Sequence, residues 1–406
     1  MKASLQPVAP TSNQEEVPSR KLRVLSIFGT RPEAVKMAPV VKALKQEPDI
    51  EARICVTAQH RQMLDQVLDL FEITPDIDLD LMQPDQTLAE LTAAVFTHLD
   101  PVFKKLKPDW VLVQGDTTTV MAAALLAYYH RVAVGHVEAG LRTYDKYQPF
   151  PEEINRRVAG VVADLHFAPT EWSRQNLLRE GVSPNQVIVT GNPVIDALQS
   201  VAKLPPDGVT QDLLGRIGIN LEVSGMQSPR LILVTAHRRE NFGQPLEDIC
   251  RALRRLAETY GEGVRLVYPV HLNPNVQEPV HRLLGQVPNI TLLDPLDYLP
   301  LVQLVKRASL VLTDSGGLQE EAPGLGIPVL VMRAVTERPE GVEAGTVKLV
   351  GTDPERIFNE ARRLLDDPSA HAQMAKAVNP YGDGHAADRI VRAVLAHSRT
   401  AQGRSQ

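Results

Sequence analysis

Apolar positions along the chain follow two alternating rhythms. Short continuous runs, "RVLSIF" (23–28), "ARICVT" (52–57), "WVLVQ" (110–114), "VAVGHV" (132–137), "LHFAP" (165–169) and "QVIVT" (186–190), read as strands buried on both faces. Between them lie longer stretches of helical character, such as "TTTVMAAALLAYYH" (117–130). A polar, Gly/Pro/Ser-containing stretch at about 201–229 interrupts the rhythm and reads as a domain linker. The alternation then restarts with "RLILVT" (230–235), "VRLVYPV" (264–270), "ITLLD" (290–294), "SLVLT" (309–313) and "PVLVM" (328–332). This pattern predicts two doubly wound α/β halves, each a parallel sheet with helices on both faces. The segment "AADRIVRAVLAH" (386–397) has amphipathic helical spacing after a Gly-rich break and fits either half.

Length and charge sharpen this picture. A chain of 406 residues suits two domains of about 150–200 residues each. A net charge of −6 supplies no general field for nucleic acid or an anionic membrane, so any anionic ligand needs a few local donors. No run of eighteen apolar residues occurs. The polar, Pro-rich residues 1–20 read as a disordered leader rather than a signal peptide, and 400–406 as a frayed tail. Cys55 and Cys250 lack neighbours at metal-ligand spacing and read as buried thiols in a reducing cytoplasm.

In open parallel sheets, ligands bind beyond the carboxyl ends of the strands. After the first strand, "FGTRPEAVKMAP" puts Arg31 and Lys36 near a helix N-terminus that favours an anion, although both also suit an ordinary surface. After "WVLVQ", "GDTTTV" offers Asp116, either a helix cap or a catalytic carboxylate. "GHVEAGLRT" places Glu138 in an apolar, Gly-rich run, which helix chemistry does not explain. "PFPEEINRR" opens a helix with Glu152 and Glu153, which helix chemistry does explain. Asp116, Glu138 and Glu152 stand in three successive loops. Converging on one cleft, they would raise one another's pKa values, as an acid/base site requires.

The second half offers complementary groups. "TAHRREN" carries His237, Arg238 and Arg239, and "YPVHLNP" carries His271. Neither shows a metal-binding spacing, so no metal is expected. "TDSGG" (313–317) lies between a strand and the helix "LQEEAPGLG", where backbone N–H groups can hold a diphosphate and Ser315 adds a hydroxyl. One turn on, Glu321 can accept the hydroxyls of a ribose, and Arg338 in "TERPEG" can neutralise phosphate from the far side. The first half thus offers carboxylates for chemistry and the second a nucleotide clamp.

Together, "FGTRPEAVKMAP", "GDTTT", "GHVEAGLRT", "PFPEEINR", "TAHRREN", "YPVHLNPNV" and "DSGGLQEEAPGLGIPVLVMR…TERPEG" resemble the bacterial non-hydrolysing UDP-N-acetylglucosamine 2-epimerases, from about residue 22 to 398. The resemblance implies two Rossmann-like domains facing across a cleft, in the glycosyltransferase-B manner. It places residues 21–202 in the first domain, completed by a C-terminal helix at 385–398, and 203–380 in the UDP-binding second. It implies a cytoplasmic homodimer that interconverts UDP-GlcNAc and UDP-ManNAc without NAD or metal, through loss of the C2 proton, departure of UDP, a 2-acetamidoglucal intermediate and re-addition. The product supplies ManNAc units for cell-surface polysaccharide. By match to the family motifs, Asp116, Glu138 and Glu152 are the acid/base candidates, with Lys36 and His237 beside them in the chemistry. Arg31, Lys36 and His237 contact the diphosphate, Ser315, Gly316 and Gly317 hold phosphate, Glu321 the ribose and Arg338 the nucleotide, while Leu296 and Leu301 stand where uracil is expected.

Some family members bind a second UDP-GlcNAc as activator. The matching positions are Gln59, His60 and Gln62 in "AQHRQ", joined by Arg238 and His271. Asp85 stands where activator-dependent relatives carry a basic residue, and an acid there repels a second diphosphate. Gln114 and Tyr144 replace a common His and Gly without removing a proposed catalytic group. Three other readings share these residues: a hydrolysing epimerase, a glycosyltransferase, and a sugar-nucleotide sensor without chemistry.

Overall fold

The computed structural model describes residues 20–57, 61–83, 85–219 and 229–403. Residues 1–19 of the expected leader and the positions Gln59 and His60 lie outside these residues, as does the side chain of Gln62. The first sheet contains β1 (Leu22–Phe28), β2 (Ile50–Val56), β3 (Ile77–Asp78), β4 (Trp110–Gln114), β5 (Ala133–Val137), β6 (Leu165–Ala168) and β7 (Val187–Val189). Its order is β3-β2-β1-β4-β5-β6-β7, with every described pairing parallel. The second contains β8 (Arg230–Thr235), β9 (Val264–Pro269), β10 (Ile290–Leu293), β11 (Ala308–Thr313), β12 (Val329–Val331) and β13 (Val347–Leu349). Its order is β10-β9-β8-β11-β12-β13, again parallel. Each sheet therefore reverses its winding once, between β1 and β4 and between β8 and β11. Those switch points open the crevices in which ligands of such sheets bind. The chain has two Rossmann-like α/β domains in the glycosyltransferase-B arrangement.

The predicted strands form because their apolar runs meet helices on both faces. All five residues of β4 are buried, and the helix Thr118–Tyr129 that follows buries Val120, Ala122, Ala123, Ala124, Leu126 and Ala127. A helix buried nearly all round shows no single apolar stripe, which is the pattern of "VMAAALLA". Two strands escape the sequence reading, β3 with two residues and β13 with three, both too short for a recognisable run.

The linker expected over 201–229 is corrected. Within it runs the helix Gly208–Arg216, capped by Asp207, whose side chain accepts from the Thr210 N–H at 2.8 Å. Leu213, Leu214 and Ile217 pack with Leu231, Leu233 and Val311 of the second sheet. The expected frayed tail at 400–406 is corrected over 400–403, since the helix Ala386–Gly403 runs through Gly403, and 404–406 lie outside the described residues. Its Ile390, Val391 and Val394 share one core cluster with Val41 and Leu44 of the helix Arg31–Gln46.

The helix Pro193–Ala202 forms the seam between the domains. Val194, Ile195, Leu198 and Val201 belong to the first domain's cluster, which also takes in Tyr298 and Val302 from the helix Tyr298–Arg307. Burying a side chain of this size contributes about 1.5–3 kcal/mol, so this seam helps to hold the two domains together.

Candidate active site

The turn after β1 is fixed by a reciprocal cap. The Thr30 side chain accepts from the Glu33 N–H, while the Glu33 carboxylate accepts from the N–H groups of Gly29 (2.9 Å) and Thr30 (2.7 Å). Its other oxygen accepts from the Thr117 hydroxyl at 2.6 Å, tying this turn to the loop after β4. The arrangement fixes the start of the helix bearing Arg31 and Lys36. Arg31 reaches across the interdomain gap and donates to the Leu296 carbonyl at 3.2 Å. Leu301 turns into the apolar cluster of the second sheet.

Glu138 follows β5 and is almost fully buried, with a backbone φ of 63°. A glutamate in the left-handed region costs about 1–2 kcal/mol, a strain that persists only where surrounding contacts impose it. Those contacts are present. Lys36 Nζ lies 2.7 Å from both carboxylate oxygens, Asn192 Nδ2 donates at 2.9 Å, and Gln114 Nε2 donates a further bond. Burial alone would raise the Glu138 pKa, but Lys36, Arg338 and Asn192 outweigh it and hold the carboxyl below its ordinary 4.5. Burial likewise opposes the charge of Lys36, yet Glu138 and Glu320 keep it protonated.

Asp116 follows β4, with Arg156 Nη2 at 2.5 Å from Oδ2 and Asn155 Nδ2 donating to its carbonyl at 3.0 Å. Burial raises its carboxyl above the ordinary 3.8, Arg156 opposes this, and Glu138 and Glu152 push it further up. Glu152 opens the helix Glu152–Val162, and its buried Oε2 meets no hydrogen-bond partner among the described residues. Asp116, Glu138 and Glu152 line one cavity of about 280 Å³ with Lys36, Arg238 and Arg338. The three carboxylates therefore converge, but from two connections rather than three: Asp116 follows β4, while Glu138 and Glu152 begin and end the one segment between β5 and the next helix. Cations from both domains face them.

The second domain's loops are organised by Asp314, which is fully buried at the end of β11. Its carboxylate accepts from the N–H groups of His237 and Arg238, both at 2.8 Å, and from Asn241 Nδ2 at 3.0 Å. The His237 ring stacks on His271 with centroids 5.5 Å apart, and burial lowers its pKa. Ser315 stands at the N-cap of the helix Gly316–Gly324, where its hydroxyl makes no capping bond. Gly316 lies against the Arg338 guanidinium: a Cβ there would sit 2.5 Å from Nη1 and 2.7 Å from Cζ. Glu321 receives a bond from Tyr298 Oη at 3.3 Å, and burial, then the charge of Glu320, push its pKa up to about 7.

The description of the UDP-N-acetylglucosamine 2-epimerase family matches residues 42–395. The chain belongs to this family. It is an enzyme of the isomerase class. It is 56% identical over 373 residues to the UDP-N-acetylglucosamine 2-epimerase of Escherichia coli (strain K12), spanning 92% of this chain and 98% of that protein. The fold is similar to a solved UDP-N-acetylglucosamine 2-epimerase from Listeria monocytogenes, with a TM-score of 0.85, 49% identity, and coverage of 94% and 97%. It is also similar to the Neisseria meningitidis UDP-GlcNAc 2-epimerase solved with UDP-GlcNAc bound, with a TM-score of 0.84, 48% identity, and coverage of 92% and 100%.

Within this family frame, several contacts lay beyond the motif reading. Asp314, inside "TDSGG", holds the loop of His237 and Arg238, and Glu320 rather than its neighbour Glu321 meets Asn192. Arg156 and Asn155 follow the helix-opening pair Glu152 and Glu153, so they read as ordinary helix surface. Asn192, in "GNPV", reads as a helix cap, which it is: its Oδ1 accepts from the Val194 N–H. Arg238, matched to an activator site, lines the carboxylate cavity and presents a buried Nε that meets no partner among the described residues.

Proposed function

We infer that the chain epimerises UDP-N-acetylglucosamine at C2 to UDP-N-acetylmannosamine, reversibly and without net hydrolysis. The observation carrying this reading is the convergence of Asp116, Glu138 and Glu152 on one cavity that also receives Lys36, Arg238 and Arg338. The C2 hydrogen is weakly acidic, so its removal needs a placed base and a stabilised leaving diphosphate. Glu138, held ionised by Lys36, suits the base. Asp116, with its raised pKa, suits a proton carrier on the other face. Elimination then gives UDP and 2-acetamidoglucal. Reprotonation of C2 from the opposite face, with re-addition of UDP at C1, completes the inversion.

Arg31, Lys36, His237 and Arg338 surround the diphosphate in this reading, with the N–H groups at Ser315, Gly316 and Gly317 beneath it. Glu321 takes the ribose, and Leu296 and Leu301 stand at the uracil end. Residues 21–202 with the C-terminal helix work as the acid/base domain, and 203–380 as the nucleotide domain. No described helix is long and apolar enough to cross a membrane. The proposal sets a homodimer in the cytoplasm, feeding ManNAc units to cell-surface polysaccharide.

The test is proton NMR of UDP-GlcNAc with the purified protein in D₂O containing EDTA. UDP-ManNAc with deuterium at C2 is the expected product. Stoichiometric free ManNAc and UDP would make the enzyme hydrolytic, and UDP binding without turnover would make it a sensor.

A further inference from the structure

A polar chain joins the two halves of the site. Lys36 pairs with Glu138 in the first domain, and Arg338 Nε pairs with Glu320 Oε1 at 2.5 Å in the second. Between the two carboxylates stands one amide. Asn192 Nδ2 donates to Glu138 Oε1 at 2.9 Å and to Glu320 Oε2 at 2.6 Å. Asn192 is 1% exposed, and its backbone is fixed from both sides. Its N–H donates to the Tyr381 carbonyl at 2.7 Å, and its Oδ1 caps the helix Pro193–Ala202. The amide orientation follows from its partners: the oxygen meets an N–H, and the nitrogen meets two carboxylates.

We propose that Asn192 is a positioning residue that couples the nucleotide clamp to the catalytic base, by sharing its two amide protons between Glu320 and Glu138. The proposal rests on the epimerase reading and adds a route between its two halves. A diphosphate entering beside Arg338 competes with Glu320 for the guanidinium. Glu320 then retains its hydrogen bond from Asn192, so its charge stays in place rather than swinging toward the leaving group. The same amide fixes Glu138 Oε1, leaving the carboxylate aimed into the cavity. A helix cap alone needs only Oδ1. The double use of Nδ2 is what capping does not require.

The charged and titratable groups around Glu138 are Lys36, Asp116, His136, Glu152, Glu320 and Arg338. None is altered by a change confined to Asn192. Asn192→Asp is nearly isosteric and keeps the capping oxygen, but replaces the shared donor with a third acceptor. Asn192→Ser keeps a cap and replaces the two-proton amide with a single, shorter hydroxyl that cannot serve both carboxylates, without adding charge. A hydrogen bond to a charged group corresponds to a factor of about 10–100, so kcat should fall about tenfold in Ser and further in Asp.

Three readouts separate coupling from a structural role. The acidic limb of the kcat/KM profile should move to higher pH in both variants, because Glu138 loses a donor that favours its ionised form. UDP affinity, measured by calorimetry, should weaken several-fold in Asp, because the added charge drives Glu320 onto Arg338. Glu320→Gln in the Asp background should restore that affinity. Thermal midpoints should change little in Ser. An Asp variant more active than Ser, an unmoved acidic limb, or unchanged UDP affinity in Asp would each overturn the coupling. Failure of the wild-type enzyme to exchange the C2 hydrogen would instead strike the epimerase reading, whatever the variants do.

Discussion

Gly316→Ala isolates the nucleotide clamp from the carboxylates. A Cβ at this position would lie 2.5 Å from Arg338 Nη1, 2.7 Å from Cζ and 3.1 Å from Nη2. Ordinary carbon contacts begin near 3.5 Å, so the guanidinium must retreat by about 1 Å. It cannot do so freely, since Glu320 holds Nε at 2.5 Å and the Arg338 side chain is only 14% exposed. The alanine itself favours the first turn of the helix Gly316–Gly324 by about 0.5–1 kcal/mol. Displacing a charge-assisted bond costs about 1.5–3 kcal/mol. Fold stability should therefore fall by about 0.5–2.5 kcal/mol while the phosphate contact is lost. UDP affinity should drop by about 10–100-fold by calorimetry, with a comparable fall in kcat/KM. A dissociation constant within twofold of wild type would show that Arg338 does not hold the diphosphate.

Asp116→Asn and Glu138→Gln should each abolish C2 exchange by NMR while UDP affinity changes by less than about tenfold; parallel loss of binding would refute the division between chemistry and clamp. Glu321 has a folded pKa near 7 against an ordinary 4.5. The folded state therefore binds its proton more tightly, and the burial penalty is absent below pH 4.5, grows through the interval and is complete above pH 7. Glu321→Gln should accordingly raise the thermal midpoint at pH 8, by up to about 3 kcal/mol in stability, and not at pH 4.5; an equal effect at both pH values would refute the assignment. Cys55 and Cys250 are buried, with pKa values pushed up to about 12 by burial, so neither thiol should react with a disulfide reagent until the protein unfolds.

Much of this architecture is readable from hydrophobic order alone. A buried parallel strand needs a continuous apolar run, and β1, β4, β8 and β11 carry one, but the spatial order that makes the switch points is recorded in no single run. The helix Gly208–Arg216 was hidden because "PPDG" precedes it and only one narrow face is apolar. Glu138 stands out because neither a strand end nor a helix start calls for it, whereas Asp116 reads also as a helix cap, a role that Thr117 holds instead. Asn192 and Glu320 do not stand out, because their roles arise only when the domains meet. Lys36 shows the same limit: its position near a helix start suggested an anion, yet its partner is Glu138, 102 residues away.

The helix Ala386–Gly403 packs against the helix Arg31–Gln46, so a cluster begun by the first fifty residues is finished by the last twenty described. On a ribosome, the intervening chain takes on the order of tens of seconds to emerge. During that interval Val41 and Leu44 lack the partners Ile390, Val391 and Val394. A nascent chain arrested before residue 386 would leave an apolar face open to chaperones, and truncation there would damage the half of the enzyme made first.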